Sequence, residues 1–138
     1  MGRILAIDYG NKRVGLASTD ALQLIASPLE TVHAKDVLAY LKAYTQREPV
    51  DAFVVGMPRR LSGEATDATP HVIGFVRKLQ KEFPNIPVHT VDERFTSSMA
   101  QKAMLAGGLK KKDRQDKATV DRVSAAIILQ SYLESRTI

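Results

Sequence analysis

The chain has no cysteine, no tryptophan, only three histidines and no apolar run of membrane-spanning length. Without cysteine there is no disulfide, no thiolate nucleophile and no zinc knuckle, so histidines and carboxylates are the only strong metal ligands left. That set favours hard, oxygen-seeking cations. His33, His71 and His89 lack the close spacing of a metal motif and read as polar surface or sheet-edge residues with no assigned role. Four tyrosines and four phenylalanines without tryptophan form no evident stacking platform of the kind single-strand binders use. A bilayer span needs about 18 consecutive apolar residues, and here the opening run Ile4-Leu5-Ala6-Ile7 already stops at a charge. Neither a membrane helix nor a secretion signal is read, and a cytoplasmic location is expected. Internal repeats and low-complexity tracts are also missing.

What is present is an ordinary globular composition, 44% apolar and 25% charged. A chain of 138 residues suffices for one domain, expected to span 1–138, and for burying about 70% of its unfolded surface without staples. The formal charge of +5 and isoelectric point near 9.6 attract polyanions at long range, which is compatible with a nucleic-acid partner without requiring one.

Two hydrophobic periods alternate along the chain. Runs at Ile4–Ile7, at Val14–Ser18 after the turn-like Gly10-Asn11-Lys12, and from Ser27 to His33 read as three strands in an antiparallel meander. Asp36 is placed to cap a helix on which Val37, Leu38, Leu41 and Tyr44 follow the helical repeat, ending before Pro49. Ala52 to Val55 is a continuous apolar run, the pattern of a central strand covered on both faces. Pro70 sits early in a second helix through Val72, Ile73, Val76, Leu79 and Phe83, which Pro84 stops. Ile86 to Val91 reads as a fifth strand. A helix through Met99, Ala103 and Met104, a charged loop from Lys110 to Lys117, and a closing helix with Val123, Ile127 and Ile128 complete the order. Strands four and five are each reached through a helix, so right-handed crossovers set them parallel to strand one. Their carboxyl ends then share one rim, where open α/β sheets bind ligands.

Asp8 ends the first apolar run, Glu93 follows the fifth, and Asp121 opens the closing helix. Singly, each has a structural reading: Asp8 bonding amides in a turn, Glu93 as a solvated strand end, Asp121 in a helix's first turn paired with Lys117. Gathered at one rim, they read as a magnesium site and therefore point to phosphodiester chemistry. A phosphodiester repels incoming hydroxide and needs its leaving alkoxide stabilised, and metal ions about 3.5–4 Å apart meet both needs. Magnesium takes a few carboxylates, waters and substrate phosphate oxygens rather than a full protein cage. Ser124, one turn beyond Asp121, is a candidate support behind these ligands. Lys12, Arg13, Arg59, Arg60, Arg94, Lys110, Lys111, Lys112, Arg114, Lys117 and Arg122 are the candidate grip on a nucleic-acid backbone, with the salt dependence such contacts carry.

Four segments, read in order, resemble the YqgF/RuvX family: Ile4 to Ala17, with Asp8-Tyr9-Gly10-Asn11-Lys12-Arg13; Val54-Val55-Gly56-Met57-Pro58; Val91-Asp92-Glu93-Arg94-Phe95-Thr96-Ser97; and Lys117 to Ala126, with Asp121. The family comprises Holliday-junction-resolvase-like nucleases also described as pre-16S ribosomal RNA nucleases. The resemblance implies a single RNase H-like α/β domain, a five-stranded mixed sheet flanked by helices, with strands one to three antiparallel and four and five parallel to the first. It implies catalytic, metal-holding Asp8, Glu93 and Asp121, one or two Mg²⁺ or Mn²⁺ ions, and a hydrolase acting on ester bonds. The expected role is 5′-end processing of pre-16S ribosomal RNA, with ribosomal precursor particles as partners. Two alternatives stand beside it, a Holliday-junction resolvase acting on DNA and a non-catalytic nucleic-acid- or ribosome-associated factor. Phosphate contacts are blind to RNA against DNA unless a 2′-hydroxyl is read, so structured RNA and branched DNA are both partners to test. Monomer and homodimer both stay open, since no exposed apolar helix face is evident. The loop Arg59-Arg60-Leu61-Ser62-Gly63 is more basic than its counterpart in many family members. Asp8-Tyr9-Gly10 with Val14-Gly15 also resembles the phosphate-binding turn of sugar kinases and actin-like ATPases, but those clasp nucleotide between two subdomains and this chain supplies one.

Overall fold

Strand residues point alternately to opposite faces, so a continuous apolar run needs cover on both sides, and the first and fourth strands receive it. The computed structural model describes residues 2–58, 62, 64–92 and 117–136. Within them run β1 (Arg3–Tyr9), β2 (Arg13–Thr19), β3 (Ala26–His33), α1 (Val37–Arg47), β4 (Val50–Met57), α2 (Thr69–Glu82), β5 (Val88–Asp92) and α3 (Lys117–Arg136). The sheet order is β3-β2-β1-β4-β5. The β1–β2 and β2–β3 pairs are antiparallel, and β1–β4 and β4–β5 are parallel. The expected meander, crossovers and mixed sheet are all present, with β4 in the sheet interior.

The two faces differ in the size of their side chains. One carries Leu5, Ile7, Val14, Leu16, Phe53 and Val55 against α1 and α2, which supply Val37, Leu41, Tyr44, Val72, Phe75 and Leu79. Rings interlock there: Phe53 meets Phe83 edge-on at 5.2 Å between centroids, and Tyr9 stacks on Phe75 at 4.3 Å. The other face presents Ile4, Ala6, Ala17, Ala52 and Val54 to α3, whose buried positions are Ala125, Ile128, Leu129 and Leu133. Three alanines on that face leave room for a close helix. α3 crosses it and touches all five strands.

Several local expectations are corrected. Asp36 makes no capping bond to α1; a short 3₁₀ turn at Ala34–Asp36 precedes the helix, and its cap is His33, whose Nδ1 accepts from the Lys35 amide at 3.1 Å. Pro70 does stand in the first turn of α2. Lys117 belongs to α3 rather than to a loop, which moves Asp121 out of the first helical turn. Of the three apolar residues that mark this helix in the sequence, Ile128 is fully buried and Val123 and Ile127 only partly so. The helix expected through Met99 and Met104 lies outside the described residues. The β2–β3 connection holds three exposed apolar side chains, Leu22, Leu24 and Ile25. Asp20 fixes this loop by accepting from the amides of Ile25, Leu24 and Leu22 at 2.8, 2.9 and 3.2 Å. Among the described residues, no helix is long and apolar enough to cross a membrane.

Candidate functional site

Asp8 is the penultimate residue of β1, and alternation puts it on the face shared by Ile4 and Ala6, beneath α3. Its register partner on β2 is Gly15. A Cβ at Gly15 would run into the carbonyl group of Asp121 and stand 3.1 Å from its Cα. Only glycine allows the helix backbone to rest on β2 at this point, the use of glycine that a strand interior otherwise disfavours. Thr31 Oγ1 donates to the Ala118 carbonyl at 2.7 Å and ties the same end of α3 to β3. Asp8, Gly15 and Asp121 are thereby brought into one neighbourhood by register and close approach, across a long stretch of sequence.

Both acids line a cleft of about 360 Å³ together with Gly10, Asn11, Lys12 and Arg13. The β1–β2 turn forms its other wall. Gly10 N–H donates to the Arg13 carbonyl at 3.0 Å, and a Cβ on Gly10 would stand 2.7 Å from that oxygen. The Ala34 amide donates to the Lys12 carbonyl at 2.9 Å, so the turn is pinned as well from the 3₁₀ turn that follows β3. Arg13 Nε donates to Asp121 Oδ2 at 2.8 Å, with the two side chains 44% and 21% exposed. A pair this open to solvent contributes at most about 1 kcal/mol. Among the described residues the ion-pair partner of Asp121 is Arg13, and not the Lys117 that a purely structural reading of the helix offers.

The remaining sequence candidates divide by position. Lys12 and Arg13 line the cleft. Lys117 is exposed on α3, and Arg122 Nη2 donates along the helix to Thr119 Oγ1 at 3.2 Å; neither lines the cleft. Ser124 is half-buried on α3 and is not among the residues that line it. Glu93, Arg94, Arg59, Arg60, Lys110, Lys111, Lys112 and Arg114 lie outside the described residues. Gly15 is the site residue that motif reading passed over without a role. Its signal was a glycine between Val14 and Leu16 in an otherwise apolar strand.

Two carboxylates in one polar cleft are a donor set suited to a hard divalent ion, which takes its remaining ligands from water and phosphate oxygen. Asp8 and Asp121 fit that requirement. Among the described residues no group of three or more metal-ligating side chains occurs.

A family model described as "RuvX: Holliday junction resolvase" matches residues 2–135. The chain belongs to the RuvX family. RuvX relatives similar to it include proteins of Parabacteroides distasonis, 56% identical over 99% of this chain and 97% of the relative, and Phocaeicola vulgatus, 54% identical over 99% and 98%. A third, from Bacteroides thetaiotaomicron, is 52% identical over 99% of both chains. All three carry the name "Putative pre-16S rRNA nuclease". Among solved structures, "T. thermophilus RuvC in complex with Holliday junction substrate" superposes with a TM-score of 0.60 at 16% identity, covering 99% of this chain and 96% of that one. A second Thermus thermophilus RuvC gives 0.52 at 19% identity, covering 98% and 96%. At such identities the likeness is one of fold, and the RuvX chain shares the RNase H-like architecture of RuvC.

Proposed function

We propose that the chain is a divalent-metal-dependent nuclease that hydrolyses phosphodiester bonds in the precursor of 16S ribosomal RNA. The observation that carries this reading is the cleft itself: Asp8 and Asp121 line it with Lys12 and Arg13 at the carboxyl end of β1. Names of relatives more than half identical over nearly the whole chain support the RNA substrate. Asp8 and Asp121 would hold the metal, and Glu93, which follows β5 in sequence, is the third carboxylate we assign to it. Residues on that strand's α3 side include Val91, which packs in the same cluster as Ala6. When bound, magnesium or manganese supplies charge for the attacking water and the leaving oxygen.

The chain's own residues do the rest of the work by position. Gly15 sets the separation of the two acids by admitting the α3 backbone. The pinned β1–β2 turn keeps Lys12 at the mouth of the cleft, where its ammonium meets a phosphate as a point charge. Lys117 and Arg122 extend positive charge along the first turns of α3, and Ser124 sits one turn beyond Asp121 as a supporting hydroxyl. Such a role places the protein in the cytoplasm with ribosomal precursor particles.

The test is cleavage of precursor 16S RNA by the purified chain with magnesium or manganese, run beside a four-way DNA junction. We expect RNA cleavage that Asp8→Asn and Asp121→Asn each reduce by at least about 10²-fold, the scale on which a preorganised electrostatic group is lost. Preferential cutting of the junction would transfer the reading to DNA. Binding of either substrate without metal-dependent cutting would reduce the chain to a binding factor.

A further inference from the structure

We propose that Arg13 is an internal counter-cation for Asp121, displaced when a divalent ion enters the cleft and then available to the substrate phosphate. This rests on the metal-dependent reading above, and adds to it a role for one side chain in two successive states. Three observations carry it. First, Arg13 Nε occupies, at 2.8 Å, the Oδ2 atom of a carboxylate that the cleft would offer to a metal. Second, the bond is a single one, through Nε, rather than the two-point fork that makes arginine–carboxylate pairs strong. The pair also lies open to solvent, at 44% and 21% exposure, so a divalent ion has little to overcome in breaking it. Third, the Arg13 backbone is held by the Gly10 amide and by pairing with His33 on β3. Displacement therefore needs only side-chain rotations, and the guanidinium stays at the mouth of the same cleft.

Charge explains why the exchange favours substrate. Among the described lining residues, Asp8 and Asp121 balance Lys12 and Arg13. A divalent ion adds two positive charges to the balance of these four residues and frees the guanidinium. A phosphodiester then meets a more cationic cleft than the one present before metal loading. Arg13 acts on the metal through Asp121, as a positioning residue, and would touch substrate only in the loaded state.

The two states predict effects of opposite sign for one substitution. Arg13→Gln removes the competing cation, so Mn²⁺ should bind the full chain more tightly, about two- to fivefold, a factor consistent with losing a weak surface pair. Cleavage at saturating Mn²⁺ should fall at least about tenfold, for want of a charged phosphate ligand. Mn²⁺ affinity is read without nucleic acid, by calorimetry and by loss of the free-ion EPR signal. Arg13→Lys keeps the charge without the guanidinium and should lie between wild type and Arg13→Gln in both readouts. In an Asp121→Asn background the Arg13 substitution should no longer change Mn²⁺ affinity. A purely structural arginine would give weaker Mn²⁺ binding together with slower cleavage, and that outcome, or unchanged affinity, overturns the proposal while leaving the metal reading intact. Failure of wild type and both variants to bind Mn²⁺ saturably overturns the metal reading and this inference with it.

Discussion

Gly15→Ala is the substitution on which the geometry makes its sharpest demand. One added carbon meets the Asp121 carbonyl group and lies 3.1 Å from Asp121 Cα, against the 3.5–4.0 Å at which carbons pack comfortably. The neighbour is backbone, so no side chain can rotate away, and α3 or β2 must move by on the order of 1 Å. α3 cannot move alone, because Ala125, Ile128, Leu129 and Leu133 are buried against Ile4, Ala6, Ala17, Ala52 and Val54. Overpacking of this kind costs about 1–3 kcal/mol, which for a chain of this size lowers Tm by roughly 4–12 °C. The shift also alters the separation of Asp8 and Asp121, and a displacement of about 1 Å at a reacting centre can cost on the order of 10²-fold in rate. Thermal melting and metal-dependent RNA cleavage read the two effects separately. Gly74→Ala is the matched control, since a Cβ there meets nothing within 4 Å inside α2. It should stabilise by about 0.4–1 kcal/mol. A Gly15→Ala protein that melts within about 1 °C of wild type, by the same scaling, and cleaves at the wild-type rate would refute the close approach and the site built on it.

Other expectations are independent of that contact. Phe53→Ala removes a fully buried ring that meets Phe83 edge-on, and chemical denaturation should show a loss of about 3–5 kcal/mol. Lys12→Ala should weaken nucleic-acid binding without regard to sequence and lower the slope of log K against log salt by about one unit; an unchanged slope would remove Lys12 from the interface. Asp20 is held below its ordinary pKa of 3.8 by the amides of Ile25 and Leu24 first, then Leu22. Because the folded value is the depressed one, the unfolded chain takes up the proton first; the stabilisation is full above the ordinary value and is lost as pH falls through the folded value. The Tm difference between wild type and Asp20→Asn should accordingly be constant near neutral pH and shrink on acidification, and a difference that persists at the lowest pH would contradict it.

The sheet was legible because its information is local. Apolar runs, Gly and Pro boundaries and the handedness of crossovers sufficed to order β1 to β5 and to put the ends of β1, β4 and β5 on one rim. The acid trio was legible only as three separate positions, of which Asp8 and Asp121 are brought to one cleft and Glu93 lies outside the described residues. What stayed hidden is tertiary. The Arg13–Asp121 bond joins residues 108 positions apart, and the local alternative, Lys117 four residues before Asp121, was the natural reading of a helix taken alone. The helix won a different partner because Gly15 let it sit over the start of β2, where Arg13 projects on the same face as Gly15 and Ala17. Asp36 does precede α1 as its N-cap position but makes no capping bond, because it is also the last residue of a 3₁₀ turn, itself capped by His33, that the periodicity of α1 does not reveal.

The small residues beneath α3 connect these observations. A helix packed on leucine and phenylalanine, as α1 and α2 are, stands off its sheet by the bulk of those side chains. On the α3 face the corresponding positions are Ala6, Ala17 and Ala52, with Gly15 at the rim, so the standoff narrows toward the cleft. A narrow standoff is what a shared cation requires, because carboxylates on short side chains reach a common ion only if their backbones are close, and aspartate offers a single methylene of reach. Enlarging one of these alanines should then act at a distance. Ala17→Val adds bulk two residues from Gly15 on the same face, and it should reduce Mn²⁺ affinity along with stability, by about 1–3 kcal/mol for the latter. An enlargement on the opposite face, Val55→Leu on β4 beneath the α1–α2 layer, should lower stability by overpacking and leave Mn²⁺ affinity as it was. Equal losses of metal affinity in both variants would mean that the cleft responds to general loosening of the core, and the argument that α3 proximity sets the site would fail.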